Sequence, residues 1–547
     1  MHRATRYLLF VLLLAACAAP VAQPTAPPVP VAEQPGRAAD IAMDTPSPAP
    51  AFQPEPTPTA PPPTMPPPTS TLPPTATPTP TLIDVAAQAA ALVPEYASDL
   101  AQAEAWDQYA LYVVLDPAAL TLYGELDLAL RNREEVPYTE LYFKLYPNEP
   151  IYGGSLSVSE VLVNDQPATF ATEQDTMLLR VDLTEPLPPA AEAIVSIRFE
   201  TRTPRNASGS TFGAFNQEAG VWALANFYPT LARRFNGSWD TRPLEDQGDL
   251  PATETALYAV TIDTPPEWTV VATGVRTDQT PLDHGPRREY YVSGPQREFF
   301  IAALRDLDQA STVVDGTRVV SYYQRGNPAA GQASLQIAAD SVRIFNARFG
   351  RYPLAELDVI QAALTKFLGM EFPGVVLIEQ RLYPRGGRVF ETTVVHEVAH
   401  QWWYSQVGSD PQGEPWLDES LASYLQVVYY EGIGNPQAAT AEVDFFRQQY
   451  IGARNTGRDG IVSGPAGSFN GNYVAMVYAK GALFYQALRQ RLGDERFFAF
   501  LQTYYATYRY EEATGADVLR VAEETCSCDL QQFYTDWIAR AVAVDVP

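Results

Sequence analysis

The sequence predicts an α+β chain in which an antiparallel β-sheet half precedes a mainly helical half. Three observations carry this: apolar residues recur at every second position from about Tyr109 to Leu307, the spacing turns helical near Ala333, and a proline-rich tract separates both halves from the N-terminus. With 547 residues, 46% of them hydrophobic, the chain is long enough for two or three domains with cores of their own.

At the N-terminus, Arg3 and Arg6 precede an apolar run, Tyr7 to Leu14, and the small-residue stretch "LAAC", Leu14 to Cys17. This reads as an export signal over residues 1–17, too short to cross a bilayer as a helix. It resembles the lipobox of bacterial lipoproteins, which makes Cys17 the expected lipidation site and the mature protein a cell-surface lipoprotein anchored to a bacterial membrane. An ordinary secretory signal that contains a cysteine is the alternative. Residues 18–95 follow as a stalk rich in Pro, Thr and Ala, with 22 of the 49 prolines between Ala18 and Leu82. Proline removes amide donors and favours polyproline II, so such a tract builds no core; extended at ~3.1 Å per residue it reaches roughly 200 Å. A ligand for proline-recognising modules is the other reading.

The β half is expected over 96–308. Leu120, Leu122, Leu126, Leu128 and Leu130 share a parity, as do Met177, Leu179, Val181 and Leu183, and then Val195, Ile197 and Phe199. Alternate residues of a strand point to opposite faces, so these are half-buried strands. The helical half is expected over 309–547. Leu335, Ala338, Val342, Phe345 and Phe349 keep helical spacing before Gly350 and Pro353, and further helices are expected over Val389–Val407, Trp416–Tyr430, Tyr473–Leu492 and Glu495–Tyr508. Cys526 and Cys528, one residue apart, are expected as free thiols, with a strained bridge as the alternative. A net charge of −27 with no basic stripe argues against a nucleic-acid partner.

The chemistry is concentrated in "ETTVVHEVAHQWWYSQVG", Glu391 to Gly408, which holds two of only four histidines in the chain. On a helix, His396 and His400 lie one turn apart on one face and can share a metal ion, while Glu397 projects beside it, placed to take a proton from water. A third ligand is needed, and the helix start "WLDESLASYL" offers Glu419, brought back over the histidines by a turn after "GSDPQGEP".

These segments resemble the aminopeptidase N and leukotriene hydrolase family of zinc gluzincins, over roughly Tyr109 to Trp537. "HEVAHQWW" and "WLDESLASY" match its metal segments, "RFGRYPLAELDVIQ" its entry to the catalytic domain, "GMEFPG" a variant of its exopeptidase loop and "VYAKGALFY" its tyrosine segment. The resemblance implies a β-sheet saddle domain followed by a thermolysin-like catalytic domain, and one Zn2+ on His396, His400 and Glu419 with Glu397 as general base. It further implies Tyr478 as donor to the oxyanion and Glu371, with Gly369 and Met370, as the group that holds the substrate's α-amine. Phe372 stands where the family has asparagine. Asp418 is the nearest candidate to support the metal ligands, and Tyr473 draws attention only as a second tyrosine of the segment. Trp402 and Trp403 read as packing, and His284 as an exposed loop histidine.

The expected function is a zinc aminopeptidase acting as a monomer on peptides at the cell surface. A zinc endopeptidase of the same fold and a catalytically silent, surface-tethered binding protein are its rivals; epoxide hydrolysis, known in one branch of the family, has no specific support in these residues.

Overall fold

The structure is a computed structural model; it describes residues 82–546 apart from 206–212, 236, 246, 250–252 and 284. The export signal with Cys17, the proline-rich tract up to residue 81 and His284 lie outside the described residues. Among the described residues no helix is long and apolar enough to cross a membrane.

The period-two runs form strands. Asp107–Asp116 alternates strictly between buried and half-buried residues, and Thr121–Arg131 and Glu192–Arg202 behave alike. They belong to an eight-stranded sheet in the order Val275–Pro281, Arg287–Gln296, Ala256–Thr264, Asp107–Asp116, Thr121–Arg131, Glu192–Arg202, Ser155–Val163, Gln166–Pro167. Two four-stranded sheets and a two-stranded ribbon, Arg234–Phe235 with Ser238–Trp239, belong to this half as well. Its core gathers Leu111, Val113, Leu126, Val195, Trp222, Phe299 and Phe300. The sheet is not wholly antiparallel: Asp107–Asp116 runs parallel to Ala256–Thr264, with Leu111 opposite Val260. The long crossover between the two strands leaves either direction open.

The second half is built on a five-stranded sheet in the order Leu307–Val314, Thr317–Gln324, Glu356–Ala362, Val375–Glu379, Gly369–Phe372, so the last of these is an edge strand. The helix Pro328–Phe349 buries Leu335, Ala338, Val342 and Phe345 against it, as the spacing predicts. The helix carrying the histidine motif runs from Gly387 to Ala399 and stops at His400, short of the expected Val407. Residues 401–407 instead turn tightly and sink both tryptophans into the core, where Trp402 Nε1 donates to the Gly350 carbonyl at 2.8 Å and Trp403 stacks on Tyr504. The helices Pro436–Asn455 and Gly515–Cys526 were not separated by the spacing; Asn435 and Thr514 cap them.

Two further expectations are corrected. Cys526 and Cys528 form a disulfide. Ser527 ends the helix in the left-handed region at φ +51°, which brings the two Cα atoms within 5.2 Å, inside the usual range for a bridge. The stretch assigned to the end of the stalk is folded from residue 82 on, as a strap of helical turns, Ala86–Ala91 and Pro94–Ala105. Gln88 is fully buried: its Oε1 accepts from the Ser293 and Gly294 amides and its Nε2 donates to the Tyr258 carbonyl. A few residues on, the Ala355 amide donates to the Ala91 carbonyl and the Val93 amide to the Pro353 carbonyl, both at 2.8 Å. The composition changes at this point from proline-rich to "DVAAQAAALV", which can bury apolar surface.

Candidate active site

In the helix Gly387–Ala399, Val394, Val395, Val398 and Ala399 are buried in the core of this half. That packing fixes the face on which His396 and His400 stand, with their Nε2 atoms 3.1 Å apart. The helix Trp416–Gly432 packs against it and supplies Glu419, whose Oε2 lies 2.8 Å from His396 Nε2 and 3.6 Å from His400 Nε2. Ligand atoms at ~2.1 Å from one tetrahedral zinc stand roughly 3.4 Å from each other, a value these separations straddle. The donor set fits as well: two imidazoles and one carboxylate leave a fourth position for a reacting group. His400 Nδ1 lies 3.1 Å from the Trp403 carbonyl, which only accepts; Nδ1 therefore carries the proton and Nε2 keeps its lone pair for a metal. The Gln426 amide faces His396 Nδ1 at 3.4 Å. Burial opposes the charge on Glu419, yet His396 and His400 hold its carboxyl well below the usual range.

Glu397 lies against the edge strand. A Cβ built on Gly369 would stand 2.1 Å from Glu397 Oε1, so only glycine lets the strand pass the carboxylate this closely. Burial, and then Glu371, push the Glu397 carboxyl well above its ordinary range. The strand's period of two sorts its residues. Gly369 and Glu371 fall on one face, toward Glu397, and Met370 and Phe372 on the other, in the core of the β half. Met370, grouped from sequence with the substrate-binding residues, is therefore a core residue. Phe372 stacks on Phe300 with ring centroids 4.0 Å apart and planes 8° from parallel, which accounts for its replacing asparagine. Glu371 is itself buried, and burial lifts its carboxyl to about 7, with His400 opposing and Glu419 and Asp418 adding.

Tyr478 stands on a π-helical turn, Val474–Lys480, that leads into the helix Gly481–Leu492. Its hydroxyl donates to Glu419 Oε1, and its ring lies nearly parallel to that of His396 with centroids 5.9 Å apart. The turn is held from behind by fully buried Lys480, which donates to Asp459 Oδ1 at 3.0 Å and to the Gly460 carbonyl at 2.9 Å. Tyr473 meets Tyr478 edge-on; its hydroxyl is buried without a hydrogen-bond partner. Asp418 accepts from Ser409 Oγ at 3.1 Å and from the Glu419 amide at 2.7 Å, and burial raises its carboxyl to about 7.

His396, His400, Glu419, Glu397, Glu371, Gly369 and Tyr478 thus meet in one place. Three further residues went unread in the sequence. Gln426 shares a helix with Glu419. Glu298, buried, accepts from the Tyr404 hydroxyl and from Asn226 Nδ2, and belongs to the charges that act on Glu371. Asp249 reaches the site from the β half: its carboxyl comes up against Glu419, and burial and then Glu419 push it well above the carboxylate range. Its segment, "EDQGDLPA", has neither periodicity nor a motif, so only the tertiary fold reveals it.

Comparison with known proteins agrees with this arrangement. Residues 333–537 match the model of the peptidase family M1 domain. Aminopeptidase M1-B of Oryza sativa subsp. japonica is 27% identical over 345 residues, 59% of this chain and 37% of the relative. Aminopeptidase N of Lactococcus lactis subsp. lactis is 29% identical over 153 residues, 26% of this chain and 18% of the relative. The chain thus spans well under half the length of these curated relatives. The crystal structure of an M1 zinc metallopeptidase from Deinococcus radiodurans superposes with a TM-score of 0.62 at 21% identity, covering 80% of this chain and 94% of that one. A variant of that enzyme bound to a Tyr-Ser-Ala substrate gives 0.63 at 19%, covering 80% and 95%. At such identity the likeness is one of fold.

Proposed function

On the premise that the chain belongs to the M1 family of zinc metallopeptidases, we propose that it is a zinc-dependent aminopeptidase that removes the first residue from peptides. The observation that carries this reading is the meeting of His396, His400 and Glu419 with Glu397 on one side, Tyr478 on another and the buried carboxyl of Glu371 two residues from Gly369. The structural relative that holds a tripeptide supports peptides as the substrate class.

His396, His400 and Glu419 would hold one zinc ion, whose Lewis acidity, when it is bound, acidifies water and polarises a carbonyl. Glu397 takes the proton of the attacking water and passes it to the leaving amine; its buried, proton-favouring setting suits both halves of that transfer. Tyr478 turns its hydroxyl from Glu419 to the oxyanion that develops at the attacked carbonyl. Glu371 pairs with the substrate's α-ammonium, so the bond presented for attack is the first one. The export signal and Cys17 support an address outside the cytoplasm on a lipid anchor. Fatty-acid labelling that is lost in Cys17→Ala would agree, and unchanged labelling would reject the anchor.

The test is hydrolysis of aminoacyl chromogenic amides beside their N-acetylated counterparts. Cleavage of the free-amine series alone is expected, abolished by a chelator and lowered at least about a hundredfold in kcat by Glu397→Gln, with zinc content unchanged. Equal cleavage of blocked substrates would mean an endopeptidase, and inactivity of the zinc-loaded protein would leave a binding protein.

A further inference from the structure

Tyr478 and Lys480 are two residues apart on one helical turn and so project to nearly opposite sides of it. On one side the Tyr478 hydroxyl meets Glu419; on the other Lys480 is wholly enclosed. Burying an ammonium is costly, and an apolar side chain would fill the same space without that cost. What the ammonium adds is direction. It donates to Asp459 Oδ1 at 3.0 Å, to the Gly460 carbonyl at 2.9 Å and to the Val542 carbonyl at 3.4 Å, one acceptor for each of its protons. It also stands 5.5 Å from the centroid of the Tyr450 ring. None of these partners is a metal ligand.

The anchor is itself fixed. Asp459 Oδ2 accepts from the Tyr450 hydroxyl at 3.0 Å, and Oδ1 accepts from the Gly460 amide at 2.9 Å. The Ile538 carbonyl accepts from the Val462 amide at 2.9 Å, which ties the loop after Asp459 to the segment that carries Val542. Ser420, next to Glu419 in the chain, donates to the Val477 carbonyl at 2.6 Å and pins the turn to the helix of the metal ligand; Lys480 supplies the second point of attachment. The turn between them is π-helical, a rare geometry found mostly as single turns. Relaxation toward the commoner α-helix would rotate Tyr478 about the axis and carry its hydroxyl off line. Resting on the mechanism proposed above, we propose that Lys480 is a positioning residue, whose hold on Asp459, Gly460 and Val542 keeps the Tyr478 hydroxyl aimed at the oxyanion. A misplacement of about 1 Å can cost on the order of a hundredfold in rate, so an enclosed side chain that touches no substrate can still set kcat.

The experiment is a double-mutant cycle on the zinc-loaded full chain: wild type, Lys480→Met, Tyr478→Phe and the double variant, each with kcat and KM on a chromogenic leucine amide and with its zinc content. Lys480→Met is expected to lower kcat at least about tenfold with KM and zinc content little changed, and to cost less than about twofold more where Tyr478 is already replaced. Losses of equal size in both backgrounds overturn the proposal, because a lysine that only supports the fold acts whether or not the hydroxyl is there. An unchanged kcat in Lys480→Met overturns it as well. Should that variant fail to fold, Asp459→Asn, which removes the anchor's charge and keeps an acceptor, enters the same cycle. A loss of at least about threefold is then expected, confined to the background that has the hydroxyl; no loss, or an equal one in both, overturns the proposal. The reading beneath it fails in other ways: Tyr478→Phe with full kcat takes the hydroxyl out of the mechanism and the proposal with it, and no cleavage of any free amide removes the aminopeptidase.

Discussion

Phenylalanine at 478 would keep the ring against His396 and lose only the hydroxyl. Under the proposed mechanism that hydroxyl meets charge that exists only in the transition state, so Tyr478→Phe should lower kcat about 10²- to 10³-fold with KM little changed, a split that steady-state kinetics reads directly. A second residue, Glu298, governs stability. Burial lifts its carboxyl to about 7, against the opposing bonds from Tyr404 and Asn226. The folded pKa lies above the unfolded value near 4.3, so the folded state binds the proton more tightly. Its contribution is therefore complete below pH 4 and is lost as pH rises through 7, about 3 kcal/mol in all. Glu298→Gln removes the charge and keeps an acceptor for Asn226 Nδ2, while its amide nitrogen faces the Tyr404 hydroxyl as a donor. Melting curves at pH 5 and 8 should show a smaller drop in the variant, and parallel drops would contradict the assignment. Residues of the motifs were legible one by one, because histidines four apart and Trp-Leu-Asp-Glu state their geometry in their spacing. Asp249, Glu298 and Gln426 were not, because what matters about each is a neighbour distant in the chain.

Among the elements, strands were the most legible, since alternation along Asp107–Asp116 or Glu192–Arg202 is a direct record of two unlike faces. The end of the histidine helix was not. Nothing local in "HQWWYSQV" halts a helix; the turn is imposed by the burial of Trp402 and Trp403, and by Arg297, fully buried, whose Nε donates to the Tyr404 carbonyl at 3.0 Å. The edge strand Gly369–Phe372 was legible only in part: a loop motif carries no parity until the loop proves to be a strand, so Met370 was grouped with Gly369 and Glu371 although it faces the core of the β half. The same parity makes a prediction. Phe372→Asn, which restores the family's residue, should destabilise the protein by about 3–5 kcal/mol through loss of the stack on Phe300, and not improve turnover. Chemical denaturation together with kcat/KM checks both parts, and higher activity in the variant would show that residue 372 faces the substrate.

Over the whole molecule, the two halves are fastened by charge as well as by the strap. Arg233 of the β half pairs with Asp410 and Glu512 of the catalytic half as well as with Asp240, and Arg297 donates to the Glu511 carbonyl. A site that takes Asp249 from one half and its metal ligands from the other needs that fastening. Gln88→Ala would leave two buried amides and a carbonyl unpaired, so a loss of about 2–4 kcal/mol is expected, read as a lower midpoint of a single unfolding transition. The strap has a consequence in time. Its partners Tyr258, Ser293, Gly294, Pro353 and Ala355 follow it by 170 residues and more, so during synthesis the strap cannot dock until these much later residues exist. Contacts of such long range close late, after the loops between them are paid for in entropy. The strap should therefore be absent from the rate-limiting transition state: Gln88→Ala should speed unfolding and leave the refolding rate nearly unchanged, making this segment a latch on the lifetime of the native state and not a nucleus for reaching it.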